Sequence, residues 1–293
     1  MKKHLYFISA LAALLPVFAA CNGNKDNGGS ESDLKPVTLT TPREADHALS
    51  AKFATPIKVG EEGVHELTFF RSGRFVMTVE EGVKASVNAD YLYGNYTVSG
   101  KNYSLKTDDN TVSLTVTVDG NNFTVKLPDG TEGSGTGTVT KSSVTAGSAQ
   151  DYASRSWKLN TMKVNITKPD IKHTFKFSGS KNVTDVVAYL TEHDVNIPEV
   201  INDKPIADYD VKEVTLDNGV IMIQFTGGFI YKGSWTISGT SFNYNLKEFM
   251  SEDVFNAQAN GKIEFSGNQA IVTINVSTSK MNGTATLTLD AVN

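Results

Sequence analysis

The side chains best suited to acid–base or metal chemistry in this sequence are scattered along it: His4, His47, His65, His173 and His193. No two of them have the HExxH or HxxxH spacing that places two imidazoles on one helix face to bind zinc. The densest cluster of ionisable residues is Glu192-His193-Asp194. Because adjacent helix residues do not face one another, this cluster predicts the solvated end of a helix. We expect no metal site and no cofactor.

Motifs for nucleophilic catalysis or phosphate binding are equally weak. The sequence has no Gly-x-Ser-x-Gly elbow to hold a catalytic serine. The glycine-rich stretch 133–137 lacks the lysine and the helix of a phosphate loop, so it predicts a strand or hairpin. Asp203, Asp208 and Asp210 have the chemistry to bind calcium but not the EF-hand spacing. We therefore predict that the protein is not an enzyme. The net charge of −5 argues against a nucleic-acid partner.

Cys21 carries the one specific chemical prediction, and it is the only cysteine of the chain. It follows an apolar run over residues 5–17, which is too short to cross a bilayer as a helix and fits a secretory signal peptide. The stretch 18–21, Phe-Ala-Ala-Cys, resembles a bacterial lipobox, in which the cysteine thiol receives a diacylglycerol. We predict a signal peptide over residues 1–20 and lipid attachment at Cys21. The alternative is an ordinary signal peptide followed by a chance cysteine.

Residues 21–42 are predicted to form a flexible tether behind the lipidated cysteine. The stretch 22–30 has no apolar residue to bury. Asp26, Glu31 and Asp33 make the tether mildly acidic, which resembles the export signal of lipoproteins of the Bacteroidota. The expected location is the bacterial outer membrane, on its periplasmic or its cell-surface face. The membrane, reached through the N-terminal lipid, is the expected partner.

Alternation of apolar and polar residues is the strongest pattern downstream of the tether. Val112, Leu114, Val116 and Val118 alternate with polar residues, and the stretch 284–290 behaves in the same way. This period of two is typical of antiparallel strands with one face in water. Short turns rich in Gly and Asn favour pairing between neighbouring strands. The predicted fold class is all-β, with two tandem antiparallel meander domains of barrel or sandwich type and one short helix in the second.

Two stretches of the sequence resemble each other at an offset of 139 residues. Residues 94–103 and 233–242 share the pattern Gly-x-aromatic-Thr-aliphatic-Ser-Gly-x-x-aromatic. The pattern predicts two inward aromatic residues, an outward threonine and a Ser-Gly turn. Two weaker matches keep the same order along the chain: residues 46–53 resemble 151–157, and residues 119–121 resemble 266–268. We interpret this as a duplication. Chance similarity between hairpins is the alternative.

The second domain is predicted to carry an insertion. The predicted boundaries are a first domain over 43–141, a linker over 142–149 and a second domain over 150–293. A helix is expected over residues 184–193, with Asn182 or Thr184 as its N-cap and an apolar stripe that includes Val186 and Leu190. It belongs to a helical insertion over 182–210, which could close one end of a barrel.

The repeated hairpin, the aromatic residue near the start of each domain and the meander together resemble lipocalin-like domains of Bacteroidota lipoproteins. Trp157 matches the first-strand tryptophan of that family, whereas the closing stretch 282–291 lacks the arginine that packs over it. The resemblance covers most of 150–293 and, more weakly, 43–141. It implies a cup for a small, often apolar ligand. The inward aromatic residues expected at such a cup are Trp157, Tyr231, Trp235, Phe242 and Tyr244.

Two functions from different classes remain open. The first is a membrane-anchored binding module for a small apolar ligand or a glycan, which is expected to have a cavity of about 300 Å³ or more in the second domain. The second is a structural or adhesive cell-surface β-sandwich subunit of fimbrial type, which predicts strand crossovers or an exposed edge strand. An enzyme is the least favoured class, because no residue is nominated as catalytic.

Overall fold

The structure is a computed structural model that describes residues 34–81, 90–168, 170–177, 181–193, 200–201, 204–250, 253–277 and 282–292. The chain divides into two compact units, with the boundary between Ala146 and Gly147, inside the stretch predicted as a linker. We call the sheet of the unit Thr41–Ala146 barrel one. The main sheet of the unit that continues from Gly147 is barrel two.

Barrel one is an antiparallel meander. Its described strands are β1 (Leu49–Val59), β2 (Glu62–Phe69), β3 (Arg74–Glu81), β4 (Asp90–Ser99), β5 (Asn102–Thr107), β6 (Ser113–Asp119), β7 (Asn122–Lys126), β8 (Glu132–Thr136) and β9 (Thr138–Lys141). Each of β1 to β8 pairs with its neighbour in sequence, and β9 pairs with β1, which brings the two ends of the sheet together. In β5 every second residue is buried, so the strand gives one face to the core and the other to water.

Barrel two is a second meander that closes on itself. The strands from this part of the chain are β10 (Ser156–Lys168), β11 (Asp170–Lys176), β12 (Val200–Ile201), β13 (Lys204–Pro205), β14 (Val211–Asp217), β15 (Val220–Phe225), β16 (Ile230–Ser238), β17 (Ser241–Met250), β18 (Asp253–Ser266), β19 (Gln269–Ser277) and β20 (Asn282–Ala291). β10 pairs with β20 on one edge, and on the other with β14 near its start and β11 further along. β12 and β13 form a separate small sheet. The all-β meander prediction is confirmed.

Two α-helices lie in the described part of the second unit, where the sequence predicted one. The helix α1 (Ala149–Ala153) comes directly before β10 and was missed because its five residues are too few to show a helical period. The predicted helix is α2 (Asn182–Glu192), and its apolar residues are part of the core of barrel two. Single 3₁₀ turns precede β1 (η1, Ala45–His47) and β14 (η2, Ile206–Tyr209).

The N-terminus of α2 is capped from a distant part of the chain. A carboxylate oxygen of Asp210 accepts hydrogen bonds from the backbone N–H groups of Val183 at 2.6 Å and Thr184 at 2.8 Å. The other oxygen accepts from the Thr184 hydroxyl at 2.7 Å. The Asn182 amide meanwhile bonds both backbone groups of Val211 at 2.8 Å. The expectation that Asn182 or Thr184 is the N-cap was therefore wrong, because a carboxylate brought close by the fold satisfies these donors.

The two barrels carry the same contacts at corresponding points of their strand order. The hydroxyl of Ser50 on β1 lies 3.1 Å from that of Thr68 on β2. The hydroxyl of Ser156 on β10 lies 2.8 Å from that of Thr215 on β14. The strands β1 to β8 therefore correspond to β10 followed by β14 to β20. The part without a counterpart runs from β11 to η2, so the insertion is longer than the predicted 182–210.

The repeated sequence motif lies at the same place in both barrels. Residues 94–103 form the end of β4, a turn and the start of β5, and residues 233–242 do the same between β16 and β17. The first aromatic residues of the motif, Tyr96 and Trp235, are both buried. The inward orientation predicted for them is confirmed. The correspondence supports a duplication.

Residues 35–40, the last part of the predicted tether, are bonded to barrel two. The backbone N–H of Thr38 donates to the carbonyl oxygen of Gly267 in the β18–β19 turn at 2.8 Å. Arg155 Nη1 donates to the carbonyl oxygen of Thr40 at 3.1 Å. Here the structure differs from the expectation of a free chain. We call residues 35–40 the strap.

Candidate functional site

All five aromatic residues predicted at the ligand site are buried in the interior of barrel two: Trp157, Tyr231, Trp235, Phe242 and Tyr244. Trp157 and Phe242 line a cavity. Trp235 and Tyr244 contact Phe242, with ring centroids 6.0 and 5.7 Å away, without lining the cavity themselves. Tyr231 packs against Phe225 at 4.8 Å. The five residues therefore do not form one binding surface.

The cavity in barrel two has a volume of about 30 Å³. All of its lining side chains are apolar, and they include Leu159, Val214, Leu216, Phe242, Val272 and Leu287. No charged or hydrogen-bonding side chain other than the indole of Trp157 is among them. The cavity is suited to an apolar group, because filling it leaves no polar group of the wall unpaired. Its volume is roughly a tenth of the ~300 Å³ expected of a ligand site.

The corresponding positions of barrel one explain why the cavity lies in barrel two. Phe69 follows Thr68 in barrel one, and its ring stacks on Tyr103 at 4.2 Å and contacts Tyr96 at 4.8 Å. The residue that follows Thr215 in barrel two is Leu216, which is smaller and lines the cavity. The core of barrel one is therefore filled at a position where barrel two has space.

Two further exchanges act in the same direction and one acts against them. Phe53, three residues after Ser50, corresponds to Leu159, and Phe123, three residues after the β6–β7 turn glycine, corresponds to Ala270. The rings of Phe53 and Phe123 contact each other at 5.1 Å in barrel one. Trp157 stands at the position of Ala51 and is much larger, so it fills part of the space that the two smaller residues leave in barrel two. Of these residues of barrel two, Leu159 and Trp157 line the cavity.

Trp157, which lines the cavity, is held by several groups around it. The indole Nε1 of Trp157 donates to the carbonyl oxygen of Ala153 in α1 at 3.0 Å. The Arg155 guanidinium lies 5.8 Å from the indole centre and donates to the carbonyl oxygens of Tyr152 at 2.7 Å and Asp151 at 3.4 Å. Phe265 packs on the other rings, 6.2 Å from Trp157 and 5.6 Å from Tyr152. The helix α1, Arg155 and the strap are therefore joined around Trp157.

An aromatic stack that the sequence patterns did not predict lies between β11 and α2. The ring of Tyr189 lies between the imidazoles of His173 at 4.1 Å and His193 at 4.2 Å, and both pairs are stacked. His193 Nδ1 is also 2.8 Å from the carbonyl oxygen of Tyr189. The spacing of four residues between Tyr189 and His193 was the available signal. The predicted Glu192-His193-Asp194 cluster contributes a packing residue here, and Asp194 lies outside the described residues.

The remaining chemical candidates have structural roles in the described residues. Residues 133–136 of the glycine-rich stretch lie in β8, as expected, and a side chain at Gly135 would meet Ile57 at 2.7 Å. Asp210 caps α2, while Asp203 lies outside the described residues. No group of three or more His, Cys, Asp or Glu side chains is placed to hold a metal ion in the described ranges.

Acidic residues of the β5–β6 turn of barrel one are held by hydrogen bonds. Arg74 donates from both terminal nitrogens to Asp108 at 2.7 and 2.8 Å. The hydroxyl of Thr107 and then the N–H and hydroxyl of Thr111 hold the pKa of the Asp109 carboxyl below its ordinary value. These contacts fix the conformation of the turn, and both carboxylates accept hydrogen bonds from groups of the protein itself.

No family model, curated protein or solved structure matches this chain. None of the helices in the described residues is long and apolar enough to span a membrane. Cys21, predicted as the lipid-attachment residue, and residues 1–20, predicted as a signal peptide, lie outside the described residues.

Proposed function

We propose that this chain is an exported lipoprotein, anchored in a bacterial outer membrane through Cys21, whose second barrel binds a small apolar molecule. The binding part rests on one observation, the apolar cavity formed where Leu216 replaces the ring of Phe69. An empty apolar cavity is destabilising, so a barrel that keeps one gains from an occupant. The duplicated barrel, which fills the same space with its own side chains, is the internal reference.

The chemistry of the wall favours an apolar ligand over a glycan. A sugar has several hydroxyl groups, and each would lose its hydrogen bonds to water in a cavity without polar partners. The volume of about 30 Å³ restricts the ligand further. Either the ligand has only a few heavy atoms, or a wall ring such as Phe242 moves to admit a larger one.

Kinship with lipocalin-like lipoproteins is part of the proposal. Next-neighbour pairing around a closed barrel supports it, since that is the arrangement the resemblance implies. The contact between Arg155 and Trp157 supports it as well, with the cation supplied from the first strand region. The adhesive alternative predicts crossovers or an exposed edge strand, and the pairing of neighbouring strands gives no support to crossovers.

The binding part is tested by native mass spectrometry of the full-length protein, extracted gently from its source membrane. We expect a stoichiometric adduct that leaves when the protein is denatured. The Leu216→Phe variant fills the cavity and should lose the adduct, whereas the matched variant Phe69→Leu in barrel one should keep it. A bare mass for the wild type, or an adduct that Leu216→Phe retains, would show that the cavity is not the binding site.

The anchoring part is tested by replacing Cys21 with serine. A thioether-linked diacylglycerol partitions into lipid with about 0.8 kcal/mol per buried CH₂, so its loss should move the protein from the membrane to the soluble fraction. Fractionation after cell lysis, with a radiolabelled fatty acid to follow acylation, reports both effects. Continued detergent-dependent fractionation of Cys21→Ser would contradict the lipid anchor.

A further inference from the structure

A buried donor without an acceptor lies next to the cavity of barrel two. Trp235 is only 3% exposed, and no hydrogen-bond acceptor lies within reach of its indole Nε1 in the part of the chain that the structure describes. Its ring contacts Phe242, which forms part of the cavity wall. A buried N–H without a partner costs about 1–3 kcal/mol, so native proteins rarely leave one unpaired.

Barrel one shows how the corresponding position is satisfied. Tyr96 is the counterpart of Trp235, and the backbone N–H of each donates to a turn glycine, Gly73 or Gly219, at 2.8 and 2.9 Å. The hydroxyl of Tyr96 donates to the carbonyl oxygen of Phe70 at 2.8 Å. The position is therefore one at which a polar atom of the aromatic side chain is bonded when an acceptor is present.

The turn that supplies this acceptor is shorter in barrel two. Phe69 pairs with Phe75 across the β2–β3 turn, and Leu216 pairs with Ile221 across the β14–β15 turn. The second turn is one residue shorter, and in the described residues no carbonyl oxygen of this turn accepts from Trp235 Nε1. The loss of the acceptor and the loss of the phenyl ring of Phe69 therefore occur at the same end of the same barrel.

From this we infer that the ligand of barrel two is an apolar molecule with one neutral hydrogen-bond acceptor, a carbonyl, ether or hydroxyl oxygen, which accepts from Trp235 Nε1. This inference rests on the proposed function. The acceptor is neutral because no cationic side chain lines the cavity. A carboxylate buried there would lose much of its hydration energy and would have no cation to pair with. Phe242, which lines the cavity and contacts Trp235, is the ring that must move for the acceptor to reach the indole.

The test compares cyclohexanone with cyclohexane, which have nearly the same size and differ in one acceptor. Each is titrated into the ¹⁵N-labelled full chain, and the indole N–H signals are followed by NMR. The chain has only two tryptophans, and Trp157 serves as the internal control because its N–H already bonds Ala153. Signals are assigned with the Trp235→Phe variant.

We expect cyclohexanone to move the Trp235 indole signal downfield beyond any shift that cyclohexane causes, whereas Trp157, which lines the cavity, should respond alike to both probes. The ratio of the affinities for cyclohexanone and cyclohexane should fall about fivefold in Trp235→Phe, the effect of one hydrogen bond. If both probes bind but the Trp235 signal and that ratio do not change, the inference is wrong and the proposed function stands. If neither probe binds, both are wrong.

Discussion

The guanidinium of Arg155, the residue directly before β10, lies 5.8 Å from the centre of the indole of Trp157, the second residue of that strand. The family resemblance places the arginine on the closing strand, and residues 282–291 contain none. The structure puts the cation beside the tryptophan from the first strand region instead. Arg155 and Trp157 together join α1, β10 and the strap.

Replacing Arg155 with alanine should destabilise barrel two by roughly 2–3 kcal/mol. The change removes the contact with the indole, worth about 0.5–2 kcal/mol, and leaves backbone carbonyls without their donor. Urea unfolding followed by tryptophan fluorescence measures the loss, because both tryptophans lie in barrel two. Arg43→Ala is the control, since the Arg43 side chain is 77% exposed and its loss should change little. Equal effects of the two changes would contradict the role of Arg155.

Filling the cavity should stabilise the ligand-free protein. At about 24 cal/mol per Å³, a cavity of about 30 Å³ costs roughly 0.7 kcal/mol, and Leu216→Phe should recover up to this amount. The reverse change, Phe69→Leu, opens a cavity in barrel one and should cost about 1–3 kcal/mol. Calorimetric unfolding of the two variants measures both changes. A destabilised Leu216→Phe would mean that the wall around Leu216 does not admit the ring.

Asp210→Ala should unfold the N-terminal turn of α2. The carboxylate bonds two backbone N–H groups and a hydroxyl there, so we expect a loss of about 2 kcal/mol. Hydrogen exchange of residues 182–186 is the direct measurement, and these amides should exchange faster. Asp185→Ala is a matched control, because that carboxylate is in the same first turn but exposed. Unchanged exchange in Asp210→Ala would show that the cap is dispensable.

Barrel one should lose stability in alkaline solution partly through Tyr103. Burial, and then the charge of Glu44, raise the pKa of the Tyr103 phenol above its ordinary 10.0. The folded state then holds this proton more tightly than the unfolded state. The corresponding stability is fully present below pH 10 and is lost as the pH rises through the folded-state pKa. Denaturant unfolding at pH 9 and pH 11 should show a smaller drop for Tyr103→Phe than for the wild type. The same drop in both proteins would exclude this contribution.

The strap should detach when one of its backbone donors is removed. Thr38→Pro lacks the N–H that donates to Gly267, whereas Thr38→Ala keeps it. We expect faster hydrogen exchange across the β18–β19 turn, and a loss of about 1 kcal/mol, only in the proline variant. Similar behaviour of the two variants would mean that the bond to Gly267 does not hold the strap.

The strands and the repeat could be predicted because they depend on neighbouring residues. The alternation of Val112 to Val118 and the motif around Gly94 and Gly233 state which side of a strand is buried, and this information is local. The cap of α2 is not local, since Asp210 reaches Thr184 across 26 residues of chain. The contact of the strap is not local either, since Thr38 and Gly267 come together only when barrel two has folded.

The site was predicted only in part for a related reason. A buried aromatic residue such as Tyr231 and one that lines a cavity, such as Phe242, have the same sequence pattern. The difference between them depends on the volume of the residues opposite, such as Leu216, and so on the packing of the whole barrel. Comparing the two halves of the repeat, Phe69 with Leu216, is the signal that could have located the cavity in advance.

The strap also sets the order in which the two barrels bear a mechanical load. The chain is bonded to barrel two through Thr40 before it enters the unit of barrel one at Thr41. Tension applied at the N-terminus therefore acts first on the few hydrogen bonds at the β18–β19 turn. Only after these have broken does the force reach β1. Barrel one is thus shielded from pulling by the barrel that follows it in the sequence.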